Sequence, residues 1–159
     1  MHVAILGRPY DRLLLEGAKR IESRFTKVDC PPFGCVKPGE RIFFKRSGGS
    51  FFATAVVARV LMADRLTPRA VDELVEWYNE QIRGEEAYWK AKRGVVKYAT
   101  LMWLREVEPT TLCPAYKPQN MRAWYVLDDE ADPLGKRGEA ARPIEVELTA
   151  GCLRYTEGM

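Results

Sequence analysis

The sequence predicts an α+β protein: a small, mixed and curved β-sheet or barrel with helices at its periphery. Three observations carry that expectation. The stretch "ERIFFKRSGGSFFATAVVARVLM" sets two β-branched and aromatic runs on either side of Gly48-Gly49, a pair able to take the positive φ angles of a tight hairpin turn. "LTPRAVDELVEWYNEQIRG" has helical spacing, with Val71, Leu74, Val75, Tyr78 and Ile82 on one stripe. The elements lack the regular strand-helix alternation of a doubly wound parallel sheet.

Taken in order, "HVAILG" reads as a short apolar strand ending at Gly7. "RPYDRLLLEGA" follows as a short helix, with Pro9 in its first turn and Gly17 at its end. "KRIESRF" alternates as a strand, Arg20, Glu22 and Arg24 on one face and Lys19, Ile21, Ser23 and Phe25 on the other. Residues 26–38 hold three prolines and a glycine and read as a loop, and Pro38-Gly39 turns the chain into the Gly48-Gly49 hairpin. The long helix has Thr67 as N-cap, Pro68 at its first position and Gly84 at its end. "EEAYWKAKRG" is a second, shorter helix closed by Gly94. "KYATLMWLREVEP" and "MRAWYVL" return to strand character, "DDEADPLGKRGEAARP" is a long polar loop, and "IEVELTAGCLRY" adds one or two terminal strands.

At 159 residues, 47% apolar and 30% charged, the chain suits one globular domain with its own core. No apolar run approaches the roughly 20 residues that span a bilayer, so no membrane partner is expected. "MHVAILGRPYD" lacks the features of a signal peptide, which makes a cytoplasmic location the expectation. Net charge is only +3, yet residues 1–50 hold ten Lys and Arg against five Asp and Glu. A basic end on a near-neutral protein can attract phosphate.

Several chemistries drop out. Cys30, Cys35, Cys113 and Cys152 do not follow a zinc spacing, and His2 is the sole histidine, so neither a Cys/His metal set nor a His-dependent triad is expected. There is no phosphate-cradling loop ending in Gly-Lys-Ser/Thr; "RSGGS" is too short and hairpin-like. No cofactor is expected. Glu73, Glu76 and Glu80 share a face of the long helix, as a solvated face opposite an apolar stripe does.

Two basic segments joined to strands remain. In "GAKRIESR" the glycine turns the chain from helix to strand and sets Lys19 at a junction open to a cleft. Glu22 and Arg24, two apart in a strand, can pair with each other or grip a polar ligand together. In "FFKRSGG", Lys45, Arg46 and Ser47 supply donors where a strand meets its turn. Arg122 and Trp124 in "NMRAWYVL" add an arginine and an indole suited to stacking on a base or holding a phosphate. Each feature also fits an ordinary surface ion pair or edge strand.

In combination and order, these segments resemble the ASCH domain family, part of the PUA-like group of small barrels. "LLLEGAKRIESRF" is similar to that family's helix-glycine-x-lysine-x-isoleucine-glutamate-x-arginine signature, supported by "KPGERIFFKRS", "TAVVARVL" and "MRAWYVL". The resemblance covers residues 1–127 and leaves 128–159 as a C-terminal extension packed on the same domain. It implies a PUA-like small mixed β-barrel whose cleft binds RNA, single-stranded nucleic acid, nucleotides or modified nucleosides. Lys19, Glu22 and Arg24 would line that cleft, Lys45, Arg46 and Ser47 flank it, and Arg122 stand nearby. Some members are amidohydrolases on an acylated cytidine and others ribonucleases. The amidohydrolase pattern has a threonine nucleophile three positions after the lysine, and this chain has Glu22 there.

The leading expectation is therefore a binding module, with Arg24, Lys45, Arg46, Ser47, Arg122 and Trp124 contacting the nucleic acid. The alternative is a small hydrolase on an N-acylated nucleobase or an RNA phosphodiester, with Lys19 and Glu22 as its catalytic pair. A protein-interaction module with an acidic partner is the third.

Overall fold

The structure, a computed structural model, describes residues 1–118 and 121–135 and the backbone of 145–146. Strands β1 (His2–Leu6), β2 (Ile21–Thr26), β3 (Arg41–Arg46), β4 (Phe51–Ala63), β5 (Tyr98–Pro109) and β6 (Trp124–Val126) form a sheet in the order β2-β5-β4-β3-β1-β6. Only β1 and β3 are parallel along this path. A two-residue strand, β7 (Glu145–Val146), runs parallel to the end of β4. Helices α1 (Tyr10–Leu15), α2 (Pro68–Ile82) and α3 (Glu86–Lys92) lie around the sheet.

The sheet curls because its strands are kinked at defined points. Register shifts occur between Phe44 and Lys45 of β3 and twice along β4, between Thr54 and Val56 and between Val57 and Arg59. An inserted residue bends a strand and swaps the faces of everything beyond it. Thus Ala53, Ala55 and Val57 share one core cluster with Val60, three positions on, whereas Leu61 joins another. The first cluster collects residues from strands as far apart in the sheet order as β5 (Met102) and β6 (Trp124), as a half-closed barrel requires. The fold is the expected α+β architecture, a curled sheet with helices around it.

A second cluster packs the stripe Val71, Leu74, Tyr78 and Ile82 of α2, with Trp89 of α3, onto Ile21 and Phe25 of β2 and Leu61 of β4. The Thr67 side chain accepts from the Ala70 N–H at the start of α2, as the sequence indicates. Its far end differs from expectation. Arg83, not Gly84, takes the left-handed cap position at φ 66°, and its guanidinium donates to the Ala18 carbonyl. Gly84 is needed for space, since a Cβ there would sit 2.6 Å from the Trp89 indole nitrogen. Both the Gly84 N–H and that indole donate to the Asn79 side-chain oxygen.

A third cluster, Met1, Val3, Phe43 and Phe51, is covered by Tyr116, Tyr125, Leu127 and Ala131. Asp132 follows a 3-10 turn (Asp129–Ala131) and pairs with Arg41 at 2.6 Å, holding this end of the described chain against β3. Of the expected terminal strand segment "IEVELTAGCLRY", Glu145–Val146 is strand. The rest, with Cys152, lies outside the described residues. Cys30, Cys35 and Cys113 are free thiols. Among the described residues no helix is long and apolar enough to cross a membrane.

Candidate functional site

The sheet is open between β2 at one end and β1 with β6 at the other, and the gap holds a cavity of about 810 Å³. Its walls come from Ile5, Leu6 and Gly7, from residues 22–26 of β2, from the loop around Asp29 and Cys30, from Gly84, Tyr88 and Lys92, and from Arg122, Ala123 and Trp124. Tyr10, Lys19 and Ile82 complete it.

Lys19 reaches the cavity because the chain leaves α1 through Gly17, whose φ of +77° suits a residue without Cβ. The expected strand starts later than Lys19. The Lys19 N–H bonds the Leu13 carbonyl and the Arg20 N–H bonds Gln81, so the ladder begins at Ile21 and strand alternation does not govern Lys19. Its ammonium donates to the Ile21 carbonyl at 2.8 Å and to the Ile82 carbonyl, a free group at the α2 C-terminus, at 3.0 Å. It also stands 3.4 Å from the Glu22 carboxylate. The two side chains are 4% and 2% exposed. Burial, joined by the charge of Arg24, holds the Lys19 ammonium below its ordinary pKa against the opposing pull of Glu22.

Glu22 and Arg24 share a face of β2, and Arg24 Nε lies 2.9 Å from Glu22 Oε1. The ion pairs are poorly aligned as hydrogen bonds. Glu22 Oε2 and Arg24 Nε are buried without a hydrogen-bond partner in the described protein. Each keeps an ion-pair contact, Oε2 with Lys19 and Nε with Oε1, and retains hydrogen-bonding capacity for a polar partner. Arg24 also spans the gap in the sheet. Its guanidinium donates to the Ile5 carbonyl at 3.1 Å and lies over the Trp124 ring at 5.2 Å.

Trp124 is fixed from behind. Its indole N–H can only donate, and it does so to His2 Nδ1 at 3.2 Å. His2 therefore carries its proton on Nε2, 2.7 Å from Glu40 Oε2, when that bond is made. Burial raises the Glu40 carboxyl, but the hydrogen bonds from His2 and the Lys37 N–H bring it below its usual value. His2 is fully buried and supports the cavity wall without lining it.

Sequence reasoning missed many lining residues, Tyr10, Ser23, Tyr88 and Lys92 among them. Tyr10 lies under the Lys19 ammonium, 5.5 Å from ring centre to nitrogen. Ser23 and Tyr88 meet across the cavity, and the Tyr88 phenol is pushed up to about 12 by burial and then by the Glu22 charge. Lys92 donates to the Phe25 carbonyl at 3.3 Å and lies 5.2 Å from the Tyr88 ring centre. The one available signal was "YWKAK", which spaces Tyr88 and Lys92 four apart on a helix.

The remaining expected residues divide. Arg122 and Trp124 both line the cavity, although Arg122 precedes β6 and strand alternation says nothing of its direction. Lys45, Arg46 and Ser47 are not among the lining residues. Arg46 pairs with Asp11 of α1 at 3.0 Å and lies over Phe52, and the Ser47 N–H bonds the Leu6 carbonyl. Glu73, Glu76 and Glu80 lie on the outer side of α2, away from the cavity.

No protein-family model matches the chain, and no curated protein matches it in sequence. Solved structures do. A point mutant of ZmASCH, an ASCH protein from Zymomonas mobilis, matches with a TM-score of 0.60 and 18% identity, covering 82% of this chain and 89% of that one. The unsubstituted ZmASCH structure matches at 0.59 and 18% over the same shares of the two chains, 82% and 89%. At this identity the likeness is one of fold, and the fold of this chain is ASCH-like.

Proposed function

We propose that the cavity receives one base of an RNA chain, a nucleotide or a modified nucleoside. The observation that carries this reading is the buried Glu22 carboxylate, whose Oε2 has the Lys19 ion pair at 3.4 Å but no aligned hydrogen bond in the described protein. A nucleobase edge supplies N–H donors for that oxygen, and its flat faces suit Tyr10, Tyr88 and Trp124 in the lining. Stacking on such rings is worth about 1–3 kcal/mol per base. Arg24 would hold an acceptor of the same base while Lys19 stays paired with Glu22. The cavity volume of about 810 Å³ suits a ligand of this size, within the roughly 300–1,000 Å³ common for small-molecule sites. Lys45, Arg46 and Ser47 would meet only a ligand long enough to leave the cavity.

The hydrolytic reading uses the same Lys19 and Glu22, with the carboxylate moving a proton to or from water. The depressed Lys19 pKa favours it. The three Lys19 donors already face Ile21, Ile82 and Glu22, however, which suits a residue that positions Glu22 more than one that steadies charge on a substrate.

The test is titration of the protein with ribonucleosides and short single-stranded RNA at low and high salt, against Glu22→Gln. RNA binding that weakens with salt and is lost in the variant is expected. Absence of binding at low salt, or binding indifferent to Glu22→Gln, overturns the reading. Turnover of acylated nucleosides or RNA that stops in both Lys19→Ala and Glu22→Gln would shift the balance to the hydrolase.

A further inference from the structure

Among the described residues the charges lining the cavity do not balance. Lys19, Arg24, Lys92 and Arg122 face it, against Glu22 and Asp29. Glu22 is engaged by both Lys19 and Arg24. Asp29 is exposed on the loop after β2 and forms no ion pair among the described residues. Lys92 and Arg122 likewise have no carboxylate partner among the described residues.

Lys92 is the more telling of the two. It is half-buried, fixed by the Phe25 carbonyl and the Tyr88 ring, and lies within reach of the Arg24 charge. Burial, with Arg24 second, depresses its pKa. Holding two cations near each other with no further carboxylate is unfavourable, and a bound anion removes that penalty. A lysine point charge and an arginine fork are the usual pair for a phosphate.

We propose that Lys92 and Arg122, with the outer side of Arg24, form a phosphate subsite, so that the ligand is a nucleotide, free or within an RNA chain, and not an uncharged nucleoside. The inference rests on the base-binding reading and adds the group that must accompany the base. The base would lie toward Glu22 and its phosphate toward Lys92.

The experiment compares ribonucleosides, their monophosphates and a trinucleotide by calorimetric titration of the wild type, Lys92→Gln, Arg122→Gln and Lys90→Gln. Lys90 is exposed in the same last turn of α3 and does not line the cavity, so it controls for net charge and for the helix terminus. Glutamine at 92 keeps a donor for the Phe25 carbonyl, and Arg122 is exposed enough for its replacement to leave folding intact. Monophosphates are expected to bind about tenfold or more tighter than nucleosides, an advantage lost in Lys92→Gln and reduced in Arg122→Gln but kept in Lys90→Gln. A trinucleotide preferred over every monophosphate would identify the source as an RNA chain; equal affinity would point to a free nucleotide. Nucleosides binding as tightly as monophosphates would overturn the subsite while leaving the base reading intact. Equal losses in Lys92→Gln and Lys90→Gln would also overturn it. Failure of every ligand to bind would remove the base reading and the subsite together.

Discussion

Two short basic segments, "KRIESR" leading into β2 and "KRSGG" leaving β3, look alike as sequence and behave differently as structure. In the first, Lys19 and Glu22 are buried and Arg24 reaches across the open side of the sheet. In the second, Lys45 and Arg46 are half-buried, Ser47 is exposed, and the Arg46 guanidinium is taken up by Asp11 and Phe52. The difference lies in what covers each. Ile82 at the end of α2 and Tyr88, Trp89 and Lys92 of α3 lie against β2 and its charges, while the β3–β4 turn faces outward. Burial turns an ordinary ion pair into a constrained polar site.

The strongest way to break this comparison is to remove the shared carboxylate. Glu22→Ala leaves Lys19 and Arg24 without their counter-ion and is expected to cost about 3–5 kcal/mol in denaturant unfolding. A loss below 1 kcal/mol would mean that the β2 cluster is as well hydrated as the turn. The cover itself can be disturbed next. Gly84→Ala would set a Cβ 2.6 Å from the Trp89 indole and is expected to cost about 1–3 kcal/mol and to weaken ligand binding.

Acid stability separates the two regions in another way. Burial raises both carboxyls, but the Arg12 N–H and Arg46 hold Asp11 below its usual 3.8, and His2 with the Lys37 N–H holds Glu40 below its usual 4.5. Each therefore adds stability above those values and loses it as pH falls through the lower folded-state value. Glu40→Gln and Asp11→Asn should each flatten the acid limb of unfolding. Only Glu40→Gln should also alter Trp124 fluorescence, because only Glu40 is joined to that ring through His2. The smallest effect is expected at the turn: Arg46→Ala should cost less than about 1 kcal/mol and reduce short-RNA affinity less than Arg24→Ala does.

The sequence made some of this legible and hid the rest for physical reasons. Thr67, Pro68 and the α2 stripe announce a helix because capping and periodicity are local. Gly48-Gly49 announces its hairpin for the same reason. The Glu22–Arg24 pairing follows from strand alternation. The β4 bulge between Val57 and Arg59 is a single-residue insertion without a distinctive residue, so "FFATAVVARVL" looks uniform while its faces change. Lys92 and Tyr88 belong to a helix that reads only as short and closed by Gly94. Only long-range packing of α3 against β2 brings them to the cavity. His2 reads only as the sole histidine, and its contact with Trp124, 122 positions away, has no local signal. The difference between "KRIESR" and "KRSGG" belongs to this second group.

A crystal structure of the protein with a ribonucleoside monophosphate tests the central claim most directly. The account predicts the base edge within hydrogen-bond distance of Glu22 Oε2, beside Trp124, with the phosphate toward Lys92. A nucleotide seated instead on Lys45, Arg46 and Ser47, with Glu22 untouched, would contradict it.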